Sequence, residues 1–160
     1  MDTQDIILED NQLMCILTEN IKKATSQEKN IQSIIRMLNE EYGFEMADMA
    51  RDFNIVYVEP NTGKNKKQKL EVVVFEKGTD HVQENIIRIA VVQDEKVKEN
   101  DKKKGVTPTL ENALGAVENC EFGLWTNGHD IKYLQREYDV FDNENFIDLA
   151  DFPGEGETIE

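Results

Sequence analysis

The chain has 160 residues, 39% of them hydrophobic, which suffices for one domain with a real core. Its formal net charge of −15 argues against free DNA binding, because affinity for a phosphate backbone comes mainly from cationic groups that release counterions. Any nucleic-acid role therefore needs a local basic patch or a partner. Cys15 and Cys120 lie far apart with no CxxC pair, and there are two histidines in all; this argues against a zinc site and for a reduced, cytoplasmic protein with two buried thiols. The acidic start MDTQDIILEDNQ lacks the basic and apolar regions of a signal peptide. No apolar run approaches the roughly 18–20 residues of a membrane span, so no membrane partner is expected.

In chain order, Ile6, Ile7, Met14, Ile16 and Leu17 are spaced as on an amphipathic helix over residues 3–22. This sets off residues 1–23 as an N-terminal helix. A second helix has Thr25 or Ser26 as cap, an apolar stripe of Ile31, Ile34, Ile35 and Leu38, and Gly43 as C-terminal stop. ADMARDF suggests one further helical turn. FNIVYVEP and LEVVVFEKG then read as a hairpin around the turn NTGKNKKQK, with Gly63 supplying the turn. The continuous apolar runs Val72–Phe75 and Ile86–Val92 fit central strands covered on both faces. After a lysine-rich loop at 96–104, TPTLENALGAVENC reads as a helix with Pro108 in its first turn. EFGLWTNGHDIKYLQRE follows as two strands around Asn127-Gly128, a type I′ hairpin signal.

From Glu137 onward there are nine acids and no base, interleaved with Phe141, Phe146, Leu149 and Phe152. Part of this tail is expected to dock on the domain, and PGEGETIE reads as a linker to a downstream domain. The organisation is thus an N-terminal helix (1–23), an α/β domain (24–136) and an acidic tail and linker (137–160). The element order predicts a single mixed β-sheet flanked by helices, with a parallel pair across the last crossover.

The series SQEKNIQSIIRMLNEEYGF, LEVVVFEKG, IIRIAVVQ and EFGLWTNGHDIKYLQRE, in that order, resembles the N-terminal domain of type I restriction enzyme R subunits. It is also similar to related domains that precede N-6 adenine DNA methyltransferases. The resemblance covers residues 24–136, and FGLWTNG is its most specific piece. It implies the restriction-endonuclease-like fold of the PD-(D/E)xK nucleases. In that family a strand like ADIVVF supplies an Asp, and the next, like IIVECK, supplies Glu and Lys. Magnesium takes hard oxygen ligands, and the lysine orients water and stabilises developing charge.

Laid on this pattern, Glu71 stands at the Asp position, Val91 at the Glu position and Gln93 at the Lys position. Valine binds no metal and glutamine carries no charge, so in this register the nuclease centre is lost. Asp94-Glu95-Lys96 offers a displaced acid-x-lysine, with Glu71 and Asp94 as magnesium ligands. A shift of three residues changes the face of the strand, however, so this needs a bulge. The bland alternative is a set of solvated charges at a strand end. Glu28 resembles an acid that such nuclease domains carry near the site, and equally fits a first-turn glutamate favoured by the helix dipole.

Two basic concentrations remain, Lys64, Lys66, Lys67 and Lys69, and Lys98, Lys102, Lys103 and Lys104. Each is either a DNA-backbone contact or a solvated turn. His81 and His129 read as surface residues and Trp125 as core. No nucleotide-binding glycine motif and no NPP[YFW] methylase signature is present.

The leading expectation is a catalytically degenerate nuclease-like domain of a restriction–modification protein. It would serve assembly or DNA positioning, with other subunits or domains as partners and DNA reached through them. A magnesium-dependent endonuclease is the first alternative. An acidic interaction module, docking on a basic partner through 137–160, is the second.

Overall fold

The computed structural model describes residues 11–59 and 62–154. Its framework is one six-stranded sheet: β3 (Met49–Val58), β4 (Asn65–Phe75), β5 (Ile86–Val92), β6 (Phe122–Thr126), β7 (Ile131–Tyr138) and β8 (Glu144–Leu149), in that spatial order. The central β5–β6 pair is parallel and all other neighbours are antiparallel. One turn of π-helix, Thr107–Glu111, leads into α2, Asn112–Ala116, and the two form the crossover between the parallel strands. They cover one face of the sheet, and α1, Ser26–Glu40, covers the other. The expected α/β architecture with a mixed sheet is therefore present, consistent with a restriction-endonuclease-like fold.

Local chemistry explains α1. The Thr25 hydroxyl accepts the Glu28 N–H at 3.1 Å, and Ile31, Ile34, Ile35 and Leu38 form the buried stripe. Gly43 takes φ +79°, which turns the chain so that the Phe44 N–H reaches the Leu38 carbonyl at 3.0 Å. Residues 70–75 of β4 and 88–92 of β5 are all buried, as the unbroken apolar runs require of strands covered on both sides.

Four expectations need correction. Residues 3–10 of the N-terminal helix lie outside the described residues, and the remainder is not helical. Instead β1 (Gln12–Met14) and β2 (Ile21–Lys23) pair as a short hairpin. Its turn closes with Cys15 N–H to the Asn20 carbonyl at 2.8 Å and Glu19 at φ +62°. Cys15 is buried, and Ile16 and Leu17 pack on the α1-side core, so apolar spacing that mimics a helix serves a turn pressed against the domain. The strand after ADM begins at Met49, directly after a 3-10 turn, Met46–Asp48. The helix expected up to Cys120 stops at Ala116.

The tail is the fourth. A boundary at 136 falls inside β7, and β8 completes the sheet beyond it. Phe152 is buried against Tyr42 and Tyr133, with ring centroids 5.7 and 5.2 Å away. Phe146 and Leu149 pack on the two cores, while Phe141 stays exposed.

The β3–β4 ribbon carries the irregularity that shapes the rest. Leu70 and Val73 both join the α2-side core although they lie three positions apart, and Val72 joins the other. Strict alternation forbids this, so the face slips by one residue near Glu71. Across the ladder, Arg51 pairs with Val72 and Phe53 with Leu70, and Asp52 between them takes φ +53°. Beyond the slip the ribbon lies over the crossover helix: Gln68 Nε2 donates to the Thr109 carbonyl at 3.0 Å. A cavity of about 440 Å³ is lined by Tyr57 and Glu59 of the ribbon, Glu111 and Asn112 of the helix, and Glu144 and Phe146 of β8. The two ends of the sheet thus approach each other across α2. The outer edge of β3 is occupied at one point by a side chain, since the Gln83 carboxamide both accepts the Val56 N–H (2.8 Å) and donates to its carbonyl (3.0 Å).

Candidate nucleic-acid interface

The register of β5 fixes where Gln93 and Asp94 stand relative to the sheet. Val72 pairs with Ala90 and Val73 with Ile89, and the Glu71 carboxylate reaches the Val92 N–H beyond the last of these pairs. The β5–β6 ladder is continuous from Arg88 to Val92, and the Gln93 N–H extends it to the Thr126 carbonyl at 2.8 Å. Hence no bulge lies within this stretch of β5, and Asp94 stands beyond the strand.

Glu71 is buried. Its Oε1 accepts the Val92 N–H at 2.9 Å, taking up a main-chain donor beside the slip. Burial pushes its carboxyl up to about 7, against the pull of that N–H and of Lys69. Asp94 is held elsewhere. Ser26, in the first turn of α1, donates its hydroxyl to Asp94 Oδ2 at 2.6 Å, and the Lys96 N–H reaches Oδ1 at 3.1 Å. The Ser26 hydroxyl bond, with the Lys96 N–H, holds the Asp94 carboxyl below its ordinary range. The Gln27 and Asn30 amides donate to the Val92 and Gln93 carbonyls, so α1 ties down the end of β5.

A magnesium site needs carboxylates converging on one point with waters and phosphate. Here Glu71 is buried and spends an oxygen on the Val92 N–H, while Asp94 is taken up by Ser26 and Lys96. Among the described residues no group of three or more acids, histidines or cysteines is placed to hold a metal. These residues do not fit a magnesium ion.

Glu28 sits in a buried ion pair. Arg51 Nη1 and Nη2 reach its two carboxylate oxygens at 2.6 and 2.7 Å, and Gln32 also donates to it. Burial raises the Glu28 carboxyl, but Arg51 and Gln32 outweigh it and the net shift is downward. Arg51 Nε holds Asp52 at 2.9 Å, so the pair also braces the left-handed residue opposite Glu71. Arg51, Asp52 and Ser26 are missing from the sequence-based set. Asp52 carried a signal, since Asp is among the few side chains that tolerate φ > 0.

Both basic groups are exposed, apart from the half-buried Lys66. Lys64 alone sits in the turn, whereas Lys66, Lys67 and Lys69 lie on β4, correcting the expected turn over 64–69. Lys69 Nζ is 3.9 Å from Asp52. In the other group, Asp101 Oδ2 accepts the N–H groups of Lys103 and Lys104. Trp125 Nε1 donates to the Lys104 carbonyl at 2.9 Å, so this core tryptophan also anchors the loop. Asn127 Nδ2 binds the Val97 carbonyl at 2.7 Å, and its Oδ1 accepts the His129 and Asp130 N–H groups. Because the carboxamide braces the turn, Asn127 needs no left-handed backbone. Only Gly128 takes one (φ +94°), and the turn centres on Gly128-His129 rather than on the expected type I′ Asn-Gly. Lys69 lowers the Glu71 carboxyl, and Lys96 and Lys104 lower that of Asp94, so cations lie within electrostatic reach of both acids.

His81 stacks on Phe75 at 4.3 Å while remaining exposed, and His129 is an exposed neighbour of Glu95. Both cysteines are buried and free. Burial pushes the Cys120 thiol up to about 12. Burial acts in the same direction on Cys15, but hydrogen bonds from Gln32, Thr18 and Arg51 bring it down to about 7. Among the described residues no helix is long and apolar enough to cross a membrane.

Glu71 supplies a pH test. Its folded-state pKa lies above the ordinary 4.5, so the stability it contributes is complete below 4.5 and is lost as pH rises through 7. The loss amounts to about 3 kcal/mol. Urea midpoints of the parent should therefore fall between pH 5 and pH 7, on the order of that loss, while Glu71→Gln, which keeps an acceptor for Val92, should stay flat over the same window.

No curated protein and no solved structure matches the chain. A family model does: that of the type I restriction enzyme R protein N terminus matches residues 26–153, extending through the tail to the segment that carries Phe152. With most of its length matched, on a fold of the kind that family implies, the chain belongs to the type I restriction enzyme R protein N-terminal family.

Proposed function

We propose that this domain positions DNA within a type I restriction enzyme without cutting it, and that other restriction–modification subunits or domains, a methyltransferase among them, supply the chemistry in the cytoplasm. The observation that carries this reading is that the buried Glu71 spends its carboxylate on the Val92 N–H, with the uncharged Val91 and Gln93 on either side of that donor and lysines in reach of the acids that remain. A strand end with one buried carboxylate and an uncharged Gln93 lacks the groups to hold a metal and activate water. The lysines need no such precision, because phosphate neutralisation works through charge.

The test uses a fluorescein-labelled duplex and a supercoiled plasmid. Changing Lys67, Lys69, Lys102, Lys103 and Lys104 to glutamate should weaken duplex binding. It should also flatten the dependence of log K on log salt by about 0.9 for each phosphate no longer neutralised. Unchanged binding by the parent complex would defeat the positioning role. Plasmid cleavage with magnesium that stops in Glu71→Ala or Lys96→Ala would replace this reading by an endonuclease using Glu71, Asp94 and Lys96.

A further inference from the structure

The turn between β7 and β8 holds two large apolar side chains out in water. Val140 is 91% exposed and Phe141 80%, with Tyr138 at 57% just before them. The turn is built to keep them there. The Asp139 N–H meets the Asn143 carbonyl at 3.0 Å, and the Asp142 N–H meets the Asp139 carbonyl at 3.0 Å. Asp139 Oδ1 also accepts the N–H groups of Phe141 and Asn143, at 2.8 and 2.9 Å. A tip fixed before contact loses little conformational entropy on docking. Aromatic side chains on such a tip are the usual anchors of protein interfaces.

Charge selects the occupant. Glu137, Asp139, Asp142 and Glu144 surround the tip, and no lysine or arginine occurs from 137 to 160. The chain's own ends are not complementary: residues 1–10 carry four acids and no lysine or arginine, and 155–160 carry three acids and no base. A second copy brings the same net charge of −15. Position matters as well. The lysine loop is tied to the β6–β7 turn, at the start of β7. The eight residues of β7 carry the tip to the opposite end of the sheet, roughly 25 Å away at about 3.3 Å per residue.

We infer that Val140 and Phe141, with Tyr138 beside them, are a preorganised anchor that inserts into an apolar pocket rimmed by lysine or arginine on another protein. The anchor points away from the lysine loop at 96–104, so DNA on that loop and this partner can be held together.

The test places photoreactive p-benzoylphenylalanine at position 140 of the full chain, in the cells that encode it, and maps the cross-linked peptide by mass spectrometry. The expected adduct joins a different protein, at an apolar segment flanked by Lys or Arg. Its yield should fall at least about tenfold in Glu137→Lys with Glu144→Lys, while the urea midpoint and duplex affinity stay at parent values. The identified protein, once purified, should bind Phe141→Ser at least about tenfold more weakly. The inference is overturned by no adduct, by an adduct with a second copy or with the chain's own ends, by an adduct at an acidic segment, or by a yield indifferent to charge reversal. These readouts are separate from DNA binding, so the anchor and the lysine surface can fail independently.

Discussion

Replacing Glu28 by alanine is expected to destabilise the domain by about 3–5 kcal/mol, read as a lower urea midpoint at pH 7. The Arg51 side chain is 6% exposed and makes two short bonds to the Glu28 carboxylate. Without it, the guanidinium keeps only Asp52 and the Cys15 sulfur, and a buried charge left short of partners is among the costliest single changes. Replacing both ends, Glu28→Leu with Arg51→Met, should recover most of the loss, because the desolvation cost of the ions disappears with their attraction. The sign with pH is fixed too. The folded-state Glu28 carboxyl lies below its ordinary range, so the stability it supplies is present above that range and is lost as pH falls through the depressed value. Parent and Glu28→Ala should therefore converge in acid. A result in which Glu28→Ala keeps its urea midpoint but alters DNA handling would return Glu28 to the functional site.

Phe152→Ala is the second change of this size, with an expected cost of about 3–5 kcal/mol. The ring is buried between Tyr42 and Tyr133, and the Arg88 guanidinium lies 5.7 Å from its centroid. Arg88 also donates to the Pro153 carbonyl at 3.0 Å, and the Tyr42 hydroxyl bonds Asp151. A chain ended at residue 138 should fare worse still, because it loses β8 together with Phe152 and bares one flank of β7. Circular dichroism and urea unfolding of the two variants would show it. A shortened chain as stable as the parent would mean that the tail is an accessory rather than part of the fold.

What could be read in the sequence was whatever repeats on a short period or names itself in order along the chain. The α1 stripe, the buried runs of β4 and β5 and the strand–helix–strand crossover are of this kind. Matching IAVVQ to the family strand put Val91 and Gln93 at the acid and lysine positions, but left open which face Glu71 takes. What could not be read depends on partners far apart. Nothing near Glu28, on α1, announces Arg51, 23 residues away on β3. Met14, Ile16 and Leu17 keep a helical spacing, but Cys15 is drawn into the core and the turn at Thr18–Asn20 closes over it. β8 hid behind its acids: Phe146 and Leu149 are the half-buried positions and do not alternate in the strand manner. The slip at Asp52 and Glu71 has no periodic signature, since it consists in a period breaking.

The guard that Gln83 mounts on Val56 bears on how the protein behaves when crowded. An exposed strand edge is a template on which another copy can add its own strand, and unchecked addition ends in filaments. On β3, the donor and acceptor of Val56 are already satisfied, and a newcomer would have to displace a two-bond clasp. At the far edge, β8 offers open backbone but bears Glu144 and Asp148, so two such strands would meet acid to acid. One border is blocked at Val56 by a surrogate amide and the other by repulsion, and both oppose edge-to-edge addition of a further copy.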